Sequence, residues 1–381
     1  MEPESQSLPP ATHAANRTEP VPAPSELFPA EEPDRGLRAI FLGSEGLRTG
    51  WSVLVFLLLF IPLVSVIMTA MSHFHLLDGT GELAPGAAFF DEVASLLALI
   101  IAAAFVGLIE GRRISAYNLT GLHRRRHFLA GLASGFFALS ALVGALAAGG
   151  WLHFGPVTLS GVAVFRFGLL WGCVFLLTGC FEEGAFRCYL QFTLTRGINF
   201  WWAFGAIATM CAGLAVFVRG SASTGVYVAA LLGFFLCLYI EQKSSAGSGS
   251  FWYAAWVTST LFGAVHISNA GESGVGIFAA AFIGFVFCVS VRVTGSAWWA
   301  IGCHAGWDWT ETFFFGTADS GLSPHGSYLT SHPAGNPFWS GGSVGPEGSA
   351  LVLGAILLLL AAVLVYARLS TQAQTAPATL S

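Results

Sequence analysis

Beyond residue 36 the chain is a succession of long apolar runs separated by short polar stretches. A helix needs about 20 apolar residues to cross the hydrocarbon of a bilayer. Runs of that kind fall near 51–71, 88–110, 128–149, 164–190, 200–218, 223–240, 252–268, 274–292, 296–315 and 349–368. The pattern predicts an all-α polytopic membrane protein: a bundle of about 8–10 transmembrane helices over residues 51–368 with an intramembrane polar site. Residues 1–36 are rich in Pro, Ala, Glu and Ser without apolar periodicity and read as a disordered cytosolic tail. No basic stretch followed by an apolar core opens the chain, so no cleavable signal peptide is expected. Residues 37–50 suit either a short interfacial helix or a plain linker. Residues 369–381 form a second polar tail.

Composition supports this reading. Of the residues, 55% are hydrophobic and 10% charged, and the mean hydropathy is +0.70, whereas soluble domains carry about 25% charged residues. No basic patch is interleaved with aromatics, so no nucleic-acid partner is expected. Cys173, Cys180, Cys188, Cys211, Cys237, Cys288 and Cys303 all lie in apolar segments without a CxxC, and read as small hydrophobes rather than disulfides or metal ligands.

Charge assigns sides. Arg35, Arg38 and Arg48 precede the first span, and Arg112, Arg113, Arg124, Arg125 and Arg126 fill the second connection. Arg196, Lys243, Arg292 and Arg368 follow alternate later spans, while the opposite connections carry Asp78, Glu82, Glu272, Asp319 and Glu347, with Arg219 the exception. The positive-inside rule then places both termini in the cytosol of a multi-pass protein, expected in a bacterial plasma membrane. The Gly-, Ser- and Pro-rich loop 316–348 falls on the other side, where it either covers a site or lies on the surface. Its His325 and His332 are expected to be solvent-exposed. Trp298, Trp299, Trp307 and Trp309 suit either the interfacial belt, their usual role, or the walls of a pocket.

Within the apolar run 164–190 sits Phe181-Glu182-Glu183-Gly184-Ala185-Phe186-Arg187. Ionisable groups in hydrocarbon are costly unless paired or used. On a helix, Glu183 and Arg187 are i, i+4 neighbours and can pair. Glu182 points about 100° away, free to face a polar cavity as a base. Two later spans each present a histidine: Phe262-x-x-x-His266 and His304-x-x-x-Asp308, the latter pair sharing one helix face. A glutamate, two histidines and an aspartate at membrane depth are the groups that amide hydrolysis requires: a base for water, oxyanion stabilisation and a proton donor. His266, His304, Asp308 and Glu182 are equally a candidate zinc set, although H-E-x-x-H is absent. The residues leave open whether the water is held by a divalent metal or by Glu182; no cofactor is certain.

The ordered set Glu182-Glu183-x-x-x-Arg187, Phe262-x-x-x-His266 and His304-x-x-x-Asp308 resembles the three-motif signature of the CPBP intramembrane proteases, over roughly residues 111–315. That family groups CAAX prenyl endopeptidases with bacteriocin-processing and immunity-type membrane proteins. The resemblance implies a membrane-embedded endopeptidase with Glu182 as the catalytic glutamate, Glu183 its partner, His266 and His304 the site histidines and Asp308 the last polar member. The expected partners are the lipid bilayer and a membrane-protein or lipidated-peptide substrate. Position 308 is Asp where the family usually has Asn, and an ionised Asp cannot donate to an oxyanion. Position 188 is Cys where Gly is usual, and the long spacing from Glu182 to His266 suggests an inserted hairpin at 200–240. The alternatives are a non-proteolytic scaffold or immunity-type relative and a proton-coupled transporter, although the paired halves of many transporters are not evident.

Overall fold

The computed structural model describes residues 36, 38–43, 46–74, 82–218, 220, 222–243, 249–269 and 271–375. Most of the expected N-terminal tail (1–35), Arg219, Asp78 and residues 376–381 lie outside the described residues. The chain divides between Leu42 and Gly43. Among the described residues of the first unit, Arg38–Phe41 form a four-residue helix. Gly46 adopts φ 101°, a left-handed conformation that no α-helix contains. Everything below concerns the unit from Gly43 onward.

Ten helices correspond to the ten apolar runs: α1 (Thr49–His73), α2 (Pro85–Glu110), α3 (Arg124–Ala148), α4 (Val162–Thr195), α5 (Phe200–Phe217), α6 (Ala222–Lys243), α7 (Gly249–Val265), α8 (Gly274–Thr294), α9 (Trp298–Asp308) and α10 (Val352–Thr375). Eight of them are long and apolar enough to cross a membrane; α7 and α9 are shorter. Local chemistry fixes several ends. Pro85 occupies the first turn of α2, and Gly111 ends that helix at φ 66°. Ser273 caps α8 by accepting from the Gly276 N–H, and Gly295 closes it at φ 75°.

Two helices carrying motif carboxylates widen into π turns directly after the motif. In α4 the π turn runs over Gly184–Leu190, immediately after Glu183. After Asp308 a second one covers Trp309–Phe315, extending α9 across the bundle. Such turns recur at functional sites because they redirect side chains without ending the helix.

The α3–α9 crossing is the closest approach in the bundle. A Cβ on Gly131 would lie 2.0 Å from the Trp299 carbonyl oxygen, and one on Gly302 would lie 2.1 Å from that of Phe128. Gly135 and Gly306 repeat the arrangement one turn on. Small residues four apart on both helices let the backbones touch, which is how helices associate where lipid is as apolar as leucine. This contact sets the depth of His304 and Asp308. Around it Leu139, Leu142, Phe287, Trp299, Trp307 and Ile356 form the largest buried cluster.

The two ends of the bundle differ. At one end, Arg196 of α4 and Arg112 hold Glu110 of α2, while Ser52 of α1 also donates to Glu110. Arg124, Arg125 and Arg126 open α3 at that end, and Tyr366 of α10 bonds His127 beside them. The other end is built from loops and short strands. β2 (Leu152–Val157) pairs antiparallel with β4 (Leu329–Pro333), and β1 (Glu82–Leu83) pairs parallel with β3 (Ser323–Pro324). His325 and His332 are exposed there, as expected.

Two expectations change. Trp299 and Trp307 are buried in the bundle at 0% and 2% exposure, so they do not belong to a belt. Of the cysteines, Cys173 is exposed on α4, although none forms a disulfide.

Candidate active site

Glu183 is completely buried and bracketed. Arg187 places its Nε 3.2 Å from Oε2 and its Nη1 3.4 Å from Oε1. From α9, His304 brings Nδ1 to 2.9 Å of the same Oε1. A carboxylate oxygen only accepts, so this hydrogen bond puts a proton on Nδ1. Arg187 is itself buried in an aromatic cage, with its guanidinium carbon 4.3 Å from the centre of the Phe262 ring and 5.3 Å from that of Phe287. The rings supply the negative faces a desolvated guanidinium needs on its open sides. The Arg187 carbonyl accepts from the Asn118 side chain, tying the π turn to the connection before α3.

Glu182 turns away, as the helical offset predicts. Its side chain is 26% exposed, and its Oε2 has no hydrogen-bond partner. The nearest basic atom is His304 Nε2 at 3.8 Å, and the same nitrogen lies 3.4 Å from Asp308 Oδ2. Both distances are too long for hydrogen bonds and short enough for one small molecule, such as water, to bridge. His304 therefore sits between three carboxylates, oriented by Glu183 and open at Nε2. The Phe287 ring stacks on it with a centroid distance of 5.9 Å.

His266 stands at the C-terminal end of α7. Its Nδ1 is 2.6 Å from the Phe262 carbonyl oxygen. A carbonyl cannot donate, so Nδ1 carries the proton and Nε2 is the uncommitted nitrogen. Phe262 thus serves twice, its carbonyl fixing His266 and its ring covering Arg187.

Glu182, Phe262, His266, His304 and Asp308 all line one cavity of about 650 Å³. This is within the range of ordinary ligand sites. Its walls add carboxylates that were not recognised as site candidates from the sequence: Asp91 and Glu92 at the start of α2, Glu272 before α8, and Asp319 and Glu347 from the loop 316–348. That loop covers the site. Glu347 accepts from Trp307 Nε1 at 2.9 Å, and Asp319 accepts from Thr312 at 2.9 Å. Burial, with the charges of Asp319 and Glu272 nearby, pushes the Glu347 carboxyl up to about 8. Burial is also the main reason that Asp319 and Glu272 stand above their ordinary values. A carboxylate in a loop is uninformative by itself, and only the folding of the loop over the bundle reveals these three.

The zinc set considered from the sequence is not assembled. Among the described residues, no three His, Cys, Asp or Glu side chains are arranged to hold a metal ion. The residues as placed do not fit a metal centre, and no step below runs through one. Neither α5 nor α6 contributes a lining residue, so the hairpin at 200–240 leaves the cavity untouched.

Fold and site together define a polytopic helical membrane protein with a carboxylate–imidazole cluster at the end of a cavity inside the bundle. Residues 242–310 match the family model described as type II CAAX prenyl endopeptidase Rce1-like. Over that segment the chain resembles a family of CAAX-type proteases. The matched stretch carries Phe262, His266, His304 and Asp308 and ends outside the Glu182–Arg187 segment. No curated protein and no solved structure was matched by the chain.

Proposed function

We propose that the protein is a membrane-embedded endopeptidase in which Glu182 activates the attacking water. The observation that carries this reading is the division of labour between adjacent carboxylates. Glu183 is fully buried and ion-paired with Arg187 and His304, whereas Glu182 lines the cavity and its Oε2 has no hydrogen-bond partner. A general base must reach both water and substrate, and of the two adjacent carboxylates Glu182 lines the cavity.

A water between Glu182 and His304 Nε2 loses a proton to Glu182 as its oxygen attacks the scissile carbonyl carbon. The negative charge that develops on the carbonyl oxygen needs N–H donors. His266 and His304 supply them when their Nε2 atoms are protonated. Glu182 then returns its proton to the leaving amine as the C–N bond breaks. Asp308 holds the His304 ring from one turn below. Arg187 acts through Glu183, fixing the carboxylate that orients His304, and is a positioning residue.

The test is a comparison of new N-termini in membranes carrying the parent chain or its Glu182→Gln variant at equal abundance. Cleavage products that appear with the parent and vanish with the variant are expected. An identical set of termini from both would remove the proteolytic reading.

A further inference from the structure

The cavity has a direction and a charge. Its mouth is made by the start of α2, the connection after α7 and the loop 316–348, all at the loop end of the bundle. Arg48, Arg112, Arg113, Arg124, Arg125, Arg126, Arg196, Lys243, Arg292 and Arg368 stand at the opposite helix ends. At the loop end the described residues include only Arg166, which is exposed beside Phe167 and does not line the cavity. Basic connections stay on the cytosolic side of a membrane. The mouth therefore faces the other way.

Around that mouth are Asp91, Glu92, Glu272, Asp319 and Glu347, and no Lys or Arg lines the cavity. Glu347, Asp319 and Glu272 accept neutral hydrogen bonds from Trp307, Thr312 and the Ser273 N–H, and among the described residues none of the five is paired with a Lys or Arg. Glu92 Oε2 is buried without a hydrogen-bond partner. Behind Asp319 and Glu347, Glu311 is 0% exposed, and neither of its oxygens has a partner. Elsewhere in the same bundle, buried carboxylates are paired: Glu110 has two arginines, and Glu183 has Arg187 and His304. Buried carboxylates without counter-ions are costly unless they keep a proton or a ligand supplies the positive charge. The cavity lining also includes the apolar side chains of Ile283, Phe287 and Ile356.

We propose that the cavity receives a positively charged stretch of polypeptide, rich in Lys or Arg, from the extracytosolic side of the membrane. This rests on the proteolytic reading of the site and narrows it. The side chains of the substrate supply the cations that the mouth lacks, and the scissile bond is carried down to Glu182 and His304. A cytosolic, uncharged C-terminal peptide does not meet these requirements.

The experiment has two arms, and neither depends on turnover. The first uses single cysteines at Leu322, which lines the mouth, and at Leu122, which is 77% exposed at the arginine-rich end. Intact cells are treated with a membrane-impermeant maleimide, and labelling is read above that of the parent chain. Leu322→Cys is expected to label in intact cells and Leu122→Cys only after permeabilisation. Phe338→Cys, on the same loop and 50% exposed, repeats the reading in case the first variant fails to fold. The reverse pattern overturns the proposed direction.

The second arm uses purified Leu322→Cys in the Glu182→Gln background, so that bound peptide is not consumed. A Lys-rich peptide is expected to slow labelling roughly tenfold at about ten times its Kd, following simple occupancy. A Glu-rich peptide of the same length should not protect. Protection should weaken on adding Asp319→Asn with Glu347→Gln, and with rising salt. Equal protection by acidic or neutral peptides overturns the charge selectivity. If the proteolytic reading alone were wrong, cleavage products would be absent from the parent while both labelling results stood.

Discussion

The arginine-rich end and the loop end of this bundle treat buried acids in opposite ways. At the first, Glu110 is 1% exposed and held by Arg196 Nη1 at 2.7 Å and Arg112 Nε at 3.3 Å, with Ser52 donating as well. At the second, Asp91, Glu92, Asp319 and Glu347 share a cavity without a single Lys or Arg in its lining. The same contrast is repeated within one dipeptide. Glu183 is enclosed by Arg187 and His304, while the neighbouring Glu182 keeps an unpartnered oxygen over the cavity. A buried carboxylate with a full complement of partners is part of the scaffold. One that lacks them is available to a substrate, a water or a proton.

Removing a scaffold partner should have the largest effect on folding. Arg187→Ala leaves Glu183 buried with His304 as its remaining partner, a loss of about 3–5 kcal/mol. Folded yield in detergent and melting temperature should both fall, and an unchanged melt would show that the pair does not support the fold. Arg196→Ala should cost less, about 2 kcal/mol, the scale of one hydrogen bond to a charged group, because Arg112 remains 3.3 Å from Glu110. Thermal melts of the two variants side by side would order them.

At the loop end the effect is a slope rather than a loss. The Glu347 carboxyl is pushed up to about 8 from its ordinary 4.5. The folded chain thus keeps a proton that the unfolded chain releases over that interval. Stability falls as pH rises from about 4.5 to 8 wherever the folded state binds more protons. The groups facing Glu347 are Asp319, Glu272, Trp307 and His304. Glu347→Gln should flatten the decline, read as a smaller drop in melting temperature between pH 5 and pH 8. The smallest change is expected for Asp308→Asn. Its oxygen lies 3.4 Å from His304 Nε2, and an amide there can also donate to an oxyanion. Cleavage should be retained or increased; loss of cleavage together with loss of a bound metal would argue for a metal-held water.

Much of this was legible from the chain, and the reasons differ by residue. All ten helices follow from apolar runs, because a span must satisfy its backbone internally and be apolar along its length. The i, i+4 spacing gave the Glu183–Arg187 pair, since that geometry is local. The π turns after Glu183 and Asp308 were not legible, because no residue type marks them. Gly131, Gly135, Gly302 and Gly306 were present as two small-x-x-x-small patterns, but only the crossing of α3 on α9 gives them meaning. Trp299 and Trp307 are buried rather than in a belt, and Trp307 takes the other role open to it, a wall of the cavity. Glu92, Asp319 and Glu347 sit far apart in sequence and meet only in the fold, as do His304 and Glu183, which are 121 positions apart.

The most direct test sets Glu182→Gln against Glu183→Gln, with cleavage rate and melting temperature measured on the same preparations. The account predicts that Glu182→Gln lowers cleavage by about 10²–10⁴-fold, the usual contribution of a general base, and leaves the melt in place. It predicts that Glu183→Gln lowers the melt by removing the charge that Arg187 and His304 share. Cleavage that persists in Glu182→Gln, or a melt that collapses there and not in Glu183→Gln, would contradict it.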